Sequence, residues 1–195
     1  MPENNYHHGD LKAQLIGQGL KLLDAEGYER FTLRKVAKLC GVSQTAPYRH
    51  FHSKDELIGA ITQKALDAFG QKLNDAVQLH PGSPLEQLKE MGVAYVRFFA
   101  ENPEYLRLLF LSDIRLRTRF AAQEKEHCQH STFQVLFDVT AQYAKDHPEK
   151  TLSHDELILY SWGLVHGIST LIASGELKGD DETLRQAEKV IRAIF

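Results

Sequence analysis

The side chains just after Gly41 nearly all donate or accept hydrogen bonds or carry positive charge: Ser43, Gln44, Thr45, Tyr48, Arg49, His50 and Lys54. On a short helix over residues 44–50, with Ser43 as its cap, Gln44 and Thr45 occupy the exposed first turn. An amide and a methyl-bearing hydroxyl there match the base edges and thymine methyls of a DNA major groove. Tyr48 and His50 suit phosphate oxygens, Arg49 adds a cation to the same outward face, and Lys54 stands beside a second helix start at Ser53. Thr32, followed by Arg34 and Lys35, and Ser53 each open a helix whose first amides can face an anion. Pro47 falls in the fourth position of the 44–50 helix, removes one amide from its ladder and is expected to tighten the backbone.

Charge bears on this reading by position rather than by sum. The whole chain is formally −3, yet residues 1–56 hold eight Lys/Arg against seven Asp/Glu, and Arg34, Lys35, Lys38, Arg49 and Lys54 crowd its end. A polyanion partner needs local cations, and this segment supplies them.

A second set is aromatic: Tyr95, Phe98, Phe99, Phe110, Phe133, Phe137 and Trp162, with His166 one helical turn beyond the tryptophan. These residues could line an apolar cavity with a few polar anchors, or could fill a core. His127, Cys128 and His130 place two imidazoles a turn apart, but two imidazoles without a third ligand make a poor metal site. No nucleophile elbow, phosphate-binding glycine loop or catalytic carboxylate pair occurs, so no enzyme activity, cofactor or metal is expected.

The elements that must position these groups read as helices throughout. Helical spacing recurs along the chain, and no alternating β-branched run is flanked by hairpin signals, so the fold class is all-α with about nine helices. The first helix is expected over residues 10–26, with Leu11, Leu15, Leu22 and Leu23 near one face and Gly27 as the stop. Thr32 caps the next; Val36, Ala37 and Cys40 point inward, Gly41 ends it and Val42 plugs the corner. A capping box at Ser53 and Glu56 opens a helix over 54–79, and His80-Pro81-Gly82-Ser83-Pro84 breaks it. Asn102-Pro103, a second capping box at Ser153 and Glu156, and Asp180-Asp181 head later helices. A charged stretch at 115–119 precedes an amphipathic helix that reaches His147-Pro148. Two lobes result: residues 1–56, and residues 57–195 with 57–79 as the connecting helix.

The helix over 156–174 has apolar residues on two neighbouring stripes, with Ser161, Gly163, Gly167 and Ser169 small enough to admit another backbone. Leu157, Ser161, Leu164, Ile168 and Leu171, together with Leu184, Ala187, Ile191 and Ile194 on the last helix, are expected to meet a symmetry mate.

The two cysteines, Cys40 and Cys128, read as reduced thiols. The start lacks the apolar core of a secretory signal, and no stretch approaches roughly 18 uninterrupted apolar residues. A cytoplasmic protein with no membrane partner is expected.

Gly27-Tyr28, Phe31-Thr32, Val36-Ala37, Gly41-Val42-Ser43, Tyr48-Arg49-His50-Phe51 and Ser53-Lys54-Asp55-Glu56-Leu57 together resemble the N-terminal domain of tetracycline-repressor-type (TetR family) regulators over about residues 7–60. The run Tyr160-Ser161-Trp162-Gly163-Leu164-Val165-His166-Gly167 is similar to the Trp/His-Gly (WHG) group of C-terminal domains in that family. The resemblance implies a three-helix helix-turn-helix DNA-binding domain, a helical ligand-binding and dimerisation domain, a homodimer on a palindromic operator, and release by a small-molecule effector of unstated identity.

Overall fold

The computed structural model describes residues 8–111, 130–147 and 152–194, and the chain is helical throughout among them. Helices α1 (His8–Arg30), α2 (Leu33–Leu39) and α3 (Lys54–Gln78) frame a 3-10 turn, Ala46–Arg49. Then come α4 (Pro84–Glu101), α5 (Pro103–Leu106), a π-helical turn (Arg107–Leu111), α6 (His130–Asp146), α7 (His154–Ala173) and α8 (Asp181–Ile194). The charged stretch at 115–119, His127, Cys128 and Pro148 lie outside the described residues, as do the side chains of His130 and Ile194.

Leu11, Leu15, Leu22 and Leu23 of α1 are all buried, in one cluster with Phe31, Val36, Phe51, Leu57 and Ile61. The same cluster continues along α3 through Ala65, Phe69 and Leu73 and ends at Ile191 on α8. By its length α3 spans about 37 Å, so it carries both lobes on one rod. Helix α4 is the centre of the body, packed on α3, α6, α7 and α8. A smaller cluster of Ala76, Leu88, Met91, Val139, Tyr143 and Leu157 holds α6 in place.

Local signals set most helix ends. Thr32 Oγ1 accepts the Lys35 amide at 3.2 Å, and the box at Ser153 and Glu156 is complete. At Ser53 the box is half made: its hydroxyl accepts the Glu56 amide, but the Glu56 carboxylate takes the amide of His52 at 2.6 Å, one residue earlier than expected. Asp180 Oδ1 accepts the Thr183 amide at 3.0 Å and starts α8. Gly41 closes α2 at φ 67°, where the Val42 amide reaches Ala37 O and the Gly41 amide reaches Lys38 O, a Schellman end. Cys40, expected inside, is half-buried at the edge of the cluster, and that burial pushes its thiol pKa up.

Gly27 does interrupt the first helix. Its φ of 74° and ψ of 175° belong to a region open essentially only to glycine. Gly27→Ala is therefore expected to lower stability by about 1–3 kcal/mol. Gly17→Ala, in the regular part of α1 where an added methyl meets nothing within 4 Å, should instead raise it by up to about 1 kcal/mol. Urea midpoints with unchanged slopes would read both; equal shifts at the two positions would contradict this account.

Candidate nucleic-acid interface and aromatic site

The segment expected as a helix over 44–50 is shorter and tighter. Only Ala46–Arg49 is helical, and it is 3-10: Ser43 O accepts the Ala46 amide, Thr45 O the Tyr48 amide and Pro47 O the His50 amide, at 2.9–3.2 Å. Pro47 supplies no amide and holds its φ, which favours the tighter ladder. Ser43 is not the side-chain cap expected of it. Thr45 holds the cap position without a side-chain bond, and the two hydroxyls lie 3.2 Å from each other.

Pro47 and Phe51 are buried, so the turn is nailed down on one side. Pro47 thus shapes the turn instead of offering a contact. On the other side Ser43, Gln44, Thr45, Tyr48 and Arg49 are exposed and His50 is half-buried. Thr32, Arg34 and Lys35 on α2 are exposed as well. Tyr48, Thr32, Ser53 and Lys54 share an open groove with Glu29, Phe31, Leu33 and His52.

Two of the cations are held by α1. Lys35 Nζ pairs with Glu26 at 2.5 Å. Lys54 Nζ lies 3.8 Å from the centre of the Tyr28 ring and donates to Tyr28 O at 3.4 Å, while Tyr28 donates its hydroxyl proton to Asp55 at 2.7 Å.

The aromatic residues form a connected cluster in the body. Phe69 sits at its centre, with ring centroids 4.8 Å from Phe99, 5.2 Å from Tyr95 and 5.4 Å from Phe98. Phe110 lies 5.0 Å from His166, and Phe133 lies 5.7 Å from Trp162. One polar knot interrupts this surface. The Tyr95 hydroxyl is 2.9 Å from His166 Nδ1 and accepts the Trp162 indole N–H at 3.4 Å. Burial pushes the Tyr95 phenol above its ordinary pKa, so it keeps its proton and can donate a hydrogen bond to the imidazole.

A narrow cavity of about 30 Å³ lies beside this knot, lined by Tyr95, Phe133 and Trp162 among the expected residues. Phe98 and Phe99 are buried as core filling, while Phe110 and His166 back the tryptophan. Phe137 is corrected outright: it is 45% exposed and lies against His154, because α6 turns Val139, Thr140 and Tyr143 inward. The remaining walls, missed from the sequence, include Phe69, Leu73, Leu88, Met91, Leu136 and Val165. Phe69 and Leu73 continue an i, i+4 row from Leu57 through Ile61 and Ala65, which was the available signal.

The expected partner face also needs correction. Leu157, Ser161, Ala187 and Ile191 are buried within the protomer, and Ser161 donates its hydroxyl to Leu157 O. Leu164, Ile168 and Leu184 are half-buried and Leu171 is exposed. The outward face of α7 is Leu159, Tyr160, Gly163, Gly167 and Leu171, of which Leu171 alone was expected, and Val190 of α8 is exposed as well. Leu159 is 72% exposed. By length and composition alone α7 would also suit a bilayer, and 22% of its most apolar 18-residue window is buried. Arg192 pairs with Glu90 at 2.8 Å and Glu188 at 2.9 Å, and Arg97 pairs with Glu188, which clamps α8 onto α4.

Comparison with known proteins follows the same two parts. Residues 15–61 match the model of bacterial regulatory proteins of the tetR family, and residues 88–194 match that of the tetracyclin repressor-like C-terminal domain. The chain is 25% identical over 136 residues to the HTH-type transcriptional activator FasR of Mycolicibacterium smegmatis, covering 68% of this chain and 62% of that protein. Against the DNA-binding transcriptional repressor TetR of Mycobacteroides abscessus it is 37% identical over 81 residues, 42% of this chain and 40% of the repressor. The chain thus spans less than two thirds of both. The nucleoid occlusion factor SlmA of Alteromonas mediterranea is 26% identical over 195 residues, 94% of this chain and 95% of that one. Among solved structures, a tetR-family regulatory protein from Rhodococcus RHA1 superposes with a TM-score of 0.73 at 21% identity, covering 93% and 95% of the two chains. The fatty acid degradation regulator FadR from Bacillus halodurans gives 0.69 at 16% identity, covering 93% and 94%.

Proposed function

Because the chain belongs to the TetR family and is a DNA-binding transcriptional regulator, we propose that it works in the cytoplasm as a homodimeric repressor, released from a palindromic operator by a small apolar effector. The observation that carries this is the split character of the turn Ala46–Arg49: Pro47 and the adjoining Phe51 are buried, whereas Gln44, Thr45, Tyr48 and Arg49 face outward. A short polar edge standing on a rigid base is what a major groove admits.

In this reading Gln44 and Thr45 meet base edges, and Tyr48, Arg49, His50 and Lys54 meet phosphates with Thr32, Arg34 and Lys35. The outward face of α7 with Val190 of α8 pairs two protomers, setting two turns about 34 Å apart on one face of the duplex. The effector enters beside Tyr95, Trp162 and His166, where an apolar wall carries one neutral hydrogen-bonding knot.

The test is titration of fluorescent duplexes over a range of salt. Tyr48→Ala and Lys54→Ala should each weaken binding to every sequence, with Lys54→Ala lowering the salt slope by about 1, while far-UV CD and oligomeric state stay as in the wild type. Gln44→Ala should instead change preference at one base pair, by about 1–3 kcal/mol. Unchanged affinity in the first two variants would remove this face from consideration.

A further inference from the structure

The turn Arg107–Leu111 is wound as a π-helix, a rare winding that often marks a functional position. In an α-helix, residues three apart lie roughly 60° from each other around the axis. The wider turn spreads Arg107 and Phe110 further, and the two serve different neighbours. Phe110 faces the aromatic site, 5.0 Å from the His166 ring and 5.8 Å from Phe99. Arg107 faces α1: Nε and Nη2 donate to the two oxygens of Asp24 at 2.6 and 2.7 Å, and Nη1 donates to Ala173 O of α7 at 3.2 Å.

Asp24 lies just before the Gly27 kink, on the stretch of α1 that holds two cations of the DNA face. Glu26 binds Lys35, and Tyr28 carries Lys54 on its carbonyl and ring. One stretch of α1 is therefore gripped by the body of the protein on one side and grips the DNA-facing cations on the other. A two-point guanidinium–carboxylate pair fixes angle as well as separation.

We propose that Asp24 and Arg107 are positioning residues for DNA binding: their pair fixes the end of α1, hence Lys35 and Lys54, and links both to the aromatic site through Phe110. The proposal rests on the DNA-face assignment above. It makes a prediction of unusual sign. Asp24 is an anion, so simple electrostatics says that Asp24→Asn binds a polyanion more tightly. Positioning says the reverse.

The experiment uses a duplex selected in vitro by the wild-type chain. Asp24→Asn and Arg107→Gln should each weaken binding by about tenfold, and the double variant should be no weaker than either single one. Phe110→Leu should change affinity in the wild type and leave the double variant unmoved. The exchange Asp24→Arg with Arg107→Asp should recover part of the loss, with melting temperatures close to wild type because the pair is partly exposed. Tighter or unchanged binding by Asp24→Asn, additive losses, or an equal Phe110→Leu effect in both backgrounds would overturn the proposal. Lys54→Ala is run alongside. Its loss of affinity beside an unaffected Asp24→Asn condemns the positioning pair alone, and its own failure to weaken binding condemns the DNA face and the proposal together.

Discussion

Phe51→Ala is expected to abolish operator binding at physiological salt and to lower unfolding free energy by about 3–5 kcal/mol. Phe51 lies two residues beyond the turn Ala46–Arg49 and is 2% exposed. Its amide donates to Pro47 O at 2.9 Å, so ring and backbone together pin the turn to the small lobe. Lys12 Nζ lies 5.8 Å from the ring centre, adding a weak cation–π contact. Removing the ring loses its transfer free energy and leaves a cavity in the cluster that also holds Phe31, Val36 and Leu57, in a protein whose net stability is only about 5–15 kcal/mol. Urea unfolding followed by CD, with duplex anisotropy on the same samples, measures both effects. Phe51→Leu, which keeps most of the volume, should lose far less and retain the duplex. An alanine variant that unfolds like the wild type and still binds would mean that the ring does not hold the turn.

Phe69→Ala is the counterpart in the body. Phe69 is fully buried and its ring contacts Tyr95, Phe98, Phe99 and Phe133, so its loss should also cost about 3–5 kcal/mol. Before any effector parts its walls, the cavity of about 30 Å³ is smaller than benzene, but the deleted ring adjoins it. An apolar void of this kind stays dry and accepts benzene. Trp162 is the only tryptophan of the chain and lines the cavity, so its emission reports the site without a label. Benzene should shift that emission and raise the melting temperature of Phe69→Ala, by the linkage of ligand to fold, and leave the wild type unchanged. A variant as stable as the wild type, or one blind to benzene, would separate Phe69 from the cavity.

Much of the scaffold was legible before any coordinates. Thr32, Ser153 and Asp180 cap because a side-chain oxygen needs only an amide two or three residues on, and Gly27 and Gly41 stop helices because only glycine occupies those backbone angles at little cost. The polar segment after Gly41 was legible for the same local reason, and its winding was half anticipated from Pro47. Its extent was overestimated because spacing does not distinguish one α turn from a 3-10 turn. The aromatic site was legible as a set but not as walls. Phe137 lies in the same helix as Phe133 and faces solvent, while Phe69, absent from the expected set, stands at the centre.

By itself the sequence determined most of the helices and many of their ends, the polar edge after Gly41 and the family of the chain, since each is written within a few neighbouring residues. The tertiary structure decided which side of each helix faces inward. On α7 the buried row is Leu157, Ser161, Val165, Ser169 and Ile172, cutting across the two stripes read from apolar spacing. It also decided the meeting of Asp24 with Arg107, 83 residues apart. A helical period places side chains around an axis, but the rotation of that axis, and contacts between distant segments, are set only when all the helices compete for the same core.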